Sequence, residues 1–259
     1  MRPTIVLVHG AFAESASWDK VIDPLTGAGH RVIAVANPLR SPAADAAAVG
    51  DLLRTIDGPI VLVGHSYGGM VISSVSADAG QIIGLVYACA FAPEPGDTCN
   101  ALAARFPGST LGETLRPVPR GDGTTDLYIA TERFHAQFCA DVPAPQAARM
   151  AATQRPVTLE ALTEPSGDRP LWRQLPSWFL IGEQDHTIPA ALQLFMAERA
   201  DARRAVEIPG ASHAITVSHP EETAELILQA AALRGRLTPD SPDTHQATPG
   251  GQDEHPDWR

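Results

Sequence analysis

The chain has 259 residues, 44% hydrophobic and 19% charged, which favours one globular domain of the larger kind or a domain carrying an insertion. A net charge of −11 argues against nucleic acid or an anionic membrane as a partner. Three cysteines suggest neither a disulfide framework nor a zinc site, and no apolar run approaches the roughly 20 residues that a membrane span requires. We therefore expect a cytoplasmic protein without metal or other cofactor.

The first third of the chain alternates apolar runs with helical patterns. Continuous apolar runs predict buried strands at residues 4–8, 31–36, 60–63 and 81–90. Apolar residues at helical spacing predict intervening helices around residues 18–25, 43–56 and 67–77. This rhythm of strand and helix predicts an α/β fold: a mostly parallel, doubly wound sheet with right-handed crossovers and helices on both faces.

The rhythm stops at residues 93–171, which are rich in proline and glycine. Short helices are predicted there at residues 127–138, 144–154 and 158–162. The sheet then resumes with strands at 178–181 and 205–208 and a terminal amphipathic helix at 221–233. The sequence thus predicts a core of residues 1–92 and 172–235 with a helical cap insertion at 93–171. Residues 236–259 are predicted to be a disordered tail because they hold few large apolar residues.

The most informative segment joins the third strand to its helix. It reads Gly64-His65-Ser66-Tyr67-Gly68, a G-x-S-x-G pattern between a buried strand and a helix. In a nucleophile elbow of this kind the serine hydroxyl projects above the carboxyl end of the sheet. The N-terminal N–H groups of the following helix point to the same place and stabilise negative charge there. Ser66 is therefore the predicted nucleophile.

A serine nucleophile needs a base, and the base needs an acid that orients it. In the chain order serine, acid, histidine, the loops after the last two strands supply Asp185 and His213. Both loops lie at the carboxyl edge of the sheet, where Ser66 is also expected. Glu183 is an alternative acid, and His186 and His219 are alternative bases.

The tetrahedral intermediate needs two N–H donors, an oxyanion hole. The residue after the nucleophile, Tyr67, is predicted to supply one of them. The loop after the first strand, His9-Gly10-Ala11-Phe12, is predicted to supply the other from Ala11, because the preceding glycine lets the backbone turn inward. Phe12 is expected to line the substrate pocket.

Five segments carry a family resemblance: VLVHGAFAESASW, LTGAGHRVIAV, VLVGHSYGGM, WFLIGEQDHTIP and IPGASHAITVSHPEE. They resemble α/β-hydrolases, in particular the branch of plant methylesterases and hydroxynitrile lyases. The resemblance implies a cap domain over the site. The lyases of that branch place a lysine directly after the histidine, where this chain has Ala214, and tend to carry a threonine in the first oxyanion loop. Both departures favour ester hydrolysis.

The sequence therefore predicts a serine hydrolase that cleaves a carboxylic ester of a small, largely apolar molecule through an acyl-enzyme. The alternatives are a lactone hydrolase with the same triad and a binding protein that has kept the fold but not the catalysis. A small-molecule ester is the expected partner, and the sequence is compatible with a homodimer.

Overall fold

The computed structural model describes residues 1–233, and the predicted tail at 236–259 lies outside them. The strands are β1 Thr4–Val8, β2 Val32–Val35, β3 Pro59–His65, β4 Gln81–Ala88, β5 Leu115–Pro119, β6 Thr125–Ile129, β7 Val157–Thr158, β8 Ser177–Gly182 and β9 Arg204–Ile208. The helices are α1 Asp19–Gly27, α2 Pro42–Leu53, α3 Tyr67–Ser74, α4 Cys99–Ala103, α5 Leu111–Thr114, α6 Thr131–Phe138, α7 Ala144–Thr153, α8 Leu159–Thr163, α9 Ala190–Arg199, α10 Ile215–Ser218 and α11 Pro220–Ala231. Short 3-10 helices occupy Ser15–Trp18 and Leu171–Arg173.

Six strands form one parallel sheet in the order β2-β1-β3-β4-β8-β9. The predicted α/β fold with a parallel sheet is confirmed. β1 pairs with β2 on one side and β3 on the other, so the strand order reverses between β1 and β3. In open parallel sheets, ligands bind outside the carboxyl ends of the strands at such a reversal.

Helices cover both faces of this sheet, as its uninterrupted apolar strands require. On one face, α1 and α11 pack their apolar sides around Trp18, Leu25 and Ile227. On the other face, α2 and α3 pack against the sheet through residues that include Leu53 and Met70. No helix within residues 1–233 is long and apolar enough to cross a membrane.

Residues 93–171, predicted as a helical insertion, also contain strands. They contain α4 to α8 and a separate three-stranded antiparallel sheet in the order β5-β6-β7. The helix predicted at 127–138 is wrong in its first third: residues up to Ile129 form β6, and the helix α6 begins at Thr131. β6 forms because β5, to which a short turn joins it, and β7, which lies further along the chain, pair with its two edges. The division into core and cap stays a prediction.

Candidate active site

The segment after β3 forms a sharp strand-to-helix turn. Ser66 has φ 55° and ψ −123°, a strained conformation that few non-glycine residues adopt. The turn is tight enough that a Cβ on Gly64 would lie 2.6 Å from the carbonyl oxygen of Gly68. The geometry therefore requires glycine at position 64, and it places the Ser66 side chain at the carboxyl edge of the central strand.

Ser66, His213 and Asp185 form one hydrogen-bonded series. The Ser66 Oγ lies 2.8 Å from His213 Nε2, and His213 Nδ1 lies 2.7 Å from Asp185 Oδ2. His213 is fully buried, and Ser66 and Asp185 are each 4% exposed. Ser66 lies 147 residues before His213 in the chain, and Asp185 lies 28 residues before it. Their loops meet because β3, β8 and β9 end at the same edge of the sheet.

The Asp185 carboxylate accepts four hydrogen bonds. Its Oδ1 accepts the backbone N–H groups of Thr187 and Ile188, each at 2.8 Å. Its Oδ2 accepts the side-chain amide of Gln193 at 2.9 Å in addition to His213. This arrangement fixes the orientation of the carboxylate and leaves Nδ1 of His213 as a donor.

The alternative acid and the two alternative bases lie outside this hydrogen-bonded series. Glu183 accepts the backbone N–H of Gly210 at 2.8 Å, and the His186 side chain is exposed. His219 lies at the start of α11, with its Nε2 3.5 Å from Asp141. The structure thus brings Asp185 and His213, rather than these residues, to Ser66.

The loop after β1 lies directly against the serine. A Cβ on Gly10 would lie 2.5 Å from the Ser66 Cβ and 2.8 Å from the His65 carbonyl oxygen. The N–H of Phe12 donates to the carbonyl oxygen of Arg155 at 3.1 Å, which leaves the buried Ala11 as the donor candidate of this loop. The Tyr67 N–H starts α3 and has no acceptor within that helix.

A buried histidine anchors this loop. His9 Nε2 accepts the backbone N–H of Asn37 at 3.0 Å, and the Asn37 side-chain amide donates to the His9 carbonyl oxygen at 3.0 Å. Since Nε2 is an acceptor, Nδ1 carries the proton and donates to the Gly10 carbonyl oxygen at 2.9 Å. Burial lowers the pKa of His9 to about 4, so the ring is neutral at pH 7.

Two aromatic rings pack against His213. His65 lies with its ring centroid 4.9 Å from that of His213, and its Nε2 donates to the His213 carbonyl oxygen at 2.9 Å. Phe138, from α6, lies edge-on to His213 with 5.0 Å between the ring centroids. Phe138 also lies edge-on to Phe12 with 6.5 Å between the ring centroids, so α6 and the loop after β1 enclose His213 together.

Two buried polar residues were not predicted from the sequence: Gln193, which donates to Asp185, and Asp45, which lies beside the start of α3. Asp45 is fully buried in α2 and accepts the hydroxyl of Tyr67. A signal for it was present, because Asp45 falls on the same helical stripe as the buried Val49 and Leu53. A carboxylate on an apolar stripe needs a polar partner. Nothing comparable marks Gln193, whose partner lies in a separate loop.

A parallel sheet, an elbow serine and a hydrogen-bonded histidine and aspartate define the architecture of α/β-hydrolases. The chain belongs to the alpha/beta hydrolase family, whose sequence pattern it matches over residues 5–226. It is 29% identical to the pyrethroid hydrolase of Sphingobium wenxiniae over 278 aligned positions, covering 98% of each chain. It is 23% identical to methylesterase 8 of Arabidopsis thaliana, covering 88% of this chain and 89% of that one.

The structural comparison agrees with this assignment. The fold superposes on the crystal structure of polyneuridine aldehyde esterase with a TM-score of 0.74 at 20% identity, covering 88% of this chain and 99% of that one. The predicted resemblance to α/β-hydrolases of the plant methylesterase branch is confirmed. The chain thus lies in a family of hydrolases, several of whose named members are esterases.

Proposed function

We propose that this protein is a serine hydrolase of carboxylic esters, with Ser66 as nucleophile, His213 as general base and Asp185 as the acid that orients it. The observation that carries the proposal is the continuous series from Ser66 Oγ to His213 Nε2 and from His213 Nδ1 to Asp185 Oδ2, at 2.8 and 2.7 Å. Relatives named as a pyrethroid hydrolase and a methylesterase support an ester as the substrate.

The first half of the reaction forms an acyl-enzyme. His213 Nε2 takes the proton from Ser66 as Oγ attacks the ester carbonyl carbon, and the carbonyl oxygen becomes an oxyanion. The N–H groups of Ala11 and Tyr67 donate to that oxygen. The bond to the alcohol oxygen then breaks, and this oxygen takes the proton from His213 as the alcohol leaves.

The second half releases the acid. Water gives a proton to His213 Nε2 and attacks the acyl carbon, and the bond to Ser66 Oγ breaks as that oxygen takes the proton back. During both halves, Asp185 stabilises the imidazolium, because its Oδ2 accepts the Nδ1–H at 2.7 Å. Thr187, Ile188 and Gln193 hold the carboxylate in this orientation.

A burst assay tests the proposal. p-Nitrophenyl esters of increasing acyl length are mixed rapidly with the wild type and with Ser66→Ala, whose folding is checked by thermal unfolding. We expect a burst of nitrophenol equal to the enzyme concentration in the wild type and no burst in the variant. Turnover near the wild-type rate in Ser66→Ala would refute the mechanism. If no open ester reacts, lactones of equal size are the next substrates.

A further inference from the structure

The turn between α6 and α7 lies against the loop that carries His213. In this turn, the Asp141 carboxylate accepts the backbone N–H of Ser212 at 3.1 Å with Oδ2 and the Ser212 hydroxyl with Oδ1. Ser212 directly precedes His213. The Asp141 side chain is only 18% exposed, so water competes little for these two bonds. A contact between residues 71 positions apart thus joins the turn to the histidine loop.

The Ser212 hydroxyl extends this contact to the far side of His213. While it donates to Asp141, its oxygen also accepts the backbone N–H of Ala214 at 3.4 Å. The carbonyl oxygen of His213 itself accepts His65 Nε2–H at 2.9 Å. The backbone is therefore held before, at and after His213. Two of these three bonds depend on Asp141, because its carboxylate orients the Ser212 hydroxyl.

The Asp141 carboxylate is ionised and acts only as an acceptor. Burial would raise the pKa of Asp141, but hydrogen bonds, above all that from the Ser212 hydroxyl, bring this pKa below its ordinary value. His219 Nε2 lies 3.5 Å from Oδ2, further than the Ser212 nitrogen at 3.1 Å. Since hydrogen bonds to a charged acceptor are stronger than neutral ones, Ser212 is held firmly in this position.

The end of α6 also holds the loop of the acid. Gln137 is 5% exposed, and its side-chain amide donates to the His186 carbonyl oxygen at 2.8 Å. Its Oε1 accepts the Thr110 hydroxyl at 2.8 Å, which fixes the orientation of the amide. His186 lies between Asp185 and Thr187, whose N–H donates to the Asp185 carboxylate. Residues 137–141, here called the 137–141 segment, therefore bond to both loops.

Both loops need such support. Asp185 and His213 follow strand ends rather than lying within a strand or helix, so regular backbone hydrogen bonds do not fix them. A catalytic constellation must be held within about 0.5 Å of its productive geometry by hydrogen bonds from the surrounding residues. The 137–141 segment supplies bonds of this kind to each loop, and its Phe138 packs edge-on against the His213 ring.

Building on the proposed ester hydrolysis, we propose that the 137–141 segment positions both the base and the acid of the triad. Asp141 acts on His213 through the Ser212 N–H and hydroxyl. Gln137 acts on Asp185 through the His186 carbonyl oxygen. Both are positioning residues rather than catalytic ones.

Steady-state hydrolysis of p-nitrophenyl acetate by Asp141→Ala tests the first of these contacts. We expect kcat to fall on the order of 10- to 10²-fold, with a smaller change in KM, because small displacements of a catalytic group are costly. Asp141→Asn keeps an oxygen for the Ser212 N–H and gains an NH₂ group that can donate to the Ser212 oxygen. It should keep kcat within a few fold of the wild type. An unchanged kcat in folded Asp141→Ala, or equal losses in the two variants, would overturn the proposal.

The matched control is Asp122→Ala. Asp122 lies in the exposed turn between β5 and β6 and accepts the same two kinds of donor, the Thr124 N–H at 3.0 Å and the Thr124 hydroxyl at 2.6 Å. It should keep the wild-type kcat. If Asp141→Ala does not fold, Ser212→Ala and Gln137→Met each remove part of the contact. A lower kcat in these two variants supports the proposal, and an unchanged kcat in both overturns it.

A proton NMR signal separates positioning from a purely structural role and needs no substrate. The His213 Nδ1 proton, hydrogen-bonded to Asp185, should give a low-field signal, assigned by its absence in His213→Gln. We expect this signal to move or broaden in Asp141→Ala and to be retained in Asp141→Asn. An unchanged signal in Asp141→Ala would overturn the positioning role. If the wild type hydrolyses no ester, the proposed function fails, and the same comparison of signals still decides whether Asp141 positions His213.

Discussion

The hydroxyl of Tyr67 donates to the carboxylate of Asp45, with 2.8 Å between the two oxygens. Asp45 is fully buried, and each of its carboxylate oxygens also accepts the backbone N–H of Arg40 at 3.1 Å. Burial raises the pKa of Tyr67, so the tyrosine keeps its proton and acts as the donor. Because Tyr67 directly follows Ser66, this bond ties the start of α3 to α2.

We expect Tyr67→Phe to lower the free energy of unfolding by about 1–3 kcal/mol, because a buried carboxylate loses a donor. Asp45→Asn keeps an acceptor oxygen for the hydroxyl and should cost less. Residues in direct contact are not additive, so the double variant should lose less than the sum of the two single losses. Urea unfolding of the wild type, the two single variants and the double variant measures this coupling. Strictly additive losses would contradict the predicted coupling.

The hydrogen-bond donors around Asp185 allow a prediction of how the nearly isosteric substitution Asp185→Asn changes kcat. In Asp185→Asn one oxygen must become an NH₂ group, yet Thr187, Ile188, Gln193 and His213 all donate to this carboxylate. The new NH₂ group would face N–H donors instead of an acceptor. It would also favour the His213 tautomer that lacks the proton on Nδ1. We expect kcat to fall on the order of 10⁴-fold with the fold intact. Steady-state ester hydrolysis measures it.

Glu183→Gln is the matched control, because Glu183 lies two residues away and bonds to the Gly210 N–H instead. It should retain kcat within a few fold. A large loss in Glu183→Gln together with a small loss in Asp185→Asn would reverse the assignment of the acid.

The close packing of Gly10 against Ser66 allows a steric test of the loop after β1. A Cβ on this residue would lie 2.5 Å from the Ser66 Cβ, so Gly10→Ala must displace either the loop or the serine. Since displacements of about 1 Å can cost on the order of 10² in rate, we expect at least that loss in kcat/KM. Gly27→Ala, at the end of α1 with no atom within 4 Å of the added Cβ, is the control. Equal kcat/KM values for Gly10→Ala and Gly27→Ala would contradict the close packing of Gly10 against Ser66.

Much of the core fold could be predicted from local pattern. Buried parallel strands such as β1 and β3 are continuous apolar runs, and the elbow serine has a short pattern of its own. The chain order of the motifs then predicted Asp185 and His213, which the structure brings to Ser66. These features can be predicted because each depends on contiguous residues or on the order in which the strands and their following loops occur in the chain.

The features that the sequence did not predict depend on partners outside the local segment. Phe134 and Phe138 share a helical face, and the predicted helix extends from them back to Leu127, but the pairing of β6 with β5 and β7 makes residues up to Ile129 a strand. The bond from Asp45 to Tyr67 likewise spans 22 residues. Local propensity cannot encode such contacts, since tertiary packing overrides it.

Two buried histidines make the stability depend on pH. Burial lowers the pKa of His9 to about 4 and that of His65 to about 3. In an unfolded chain, histidine has a pKa of about 6.5. Below that pH the unfolded chain binds more protons than the folded one, so acidification favours unfolding until the pH falls through the folded pKa values.

We therefore expect these two histidines to add no pH dependence to the free energy of unfolding above about pH 7, and to lower that free energy as the pH drops from about 6.5 towards 4. His65→Gln removes one of the two groups, and its side-chain N–H can still donate to the His213 carbonyl oxygen. This variant should lose less stability than the wild type over the same interval, whatever its stability at pH 7. Urea unfolding at half-unit pH steps gives both slopes, and equal slopes would show that protonation of His65 does not drive acid unfolding.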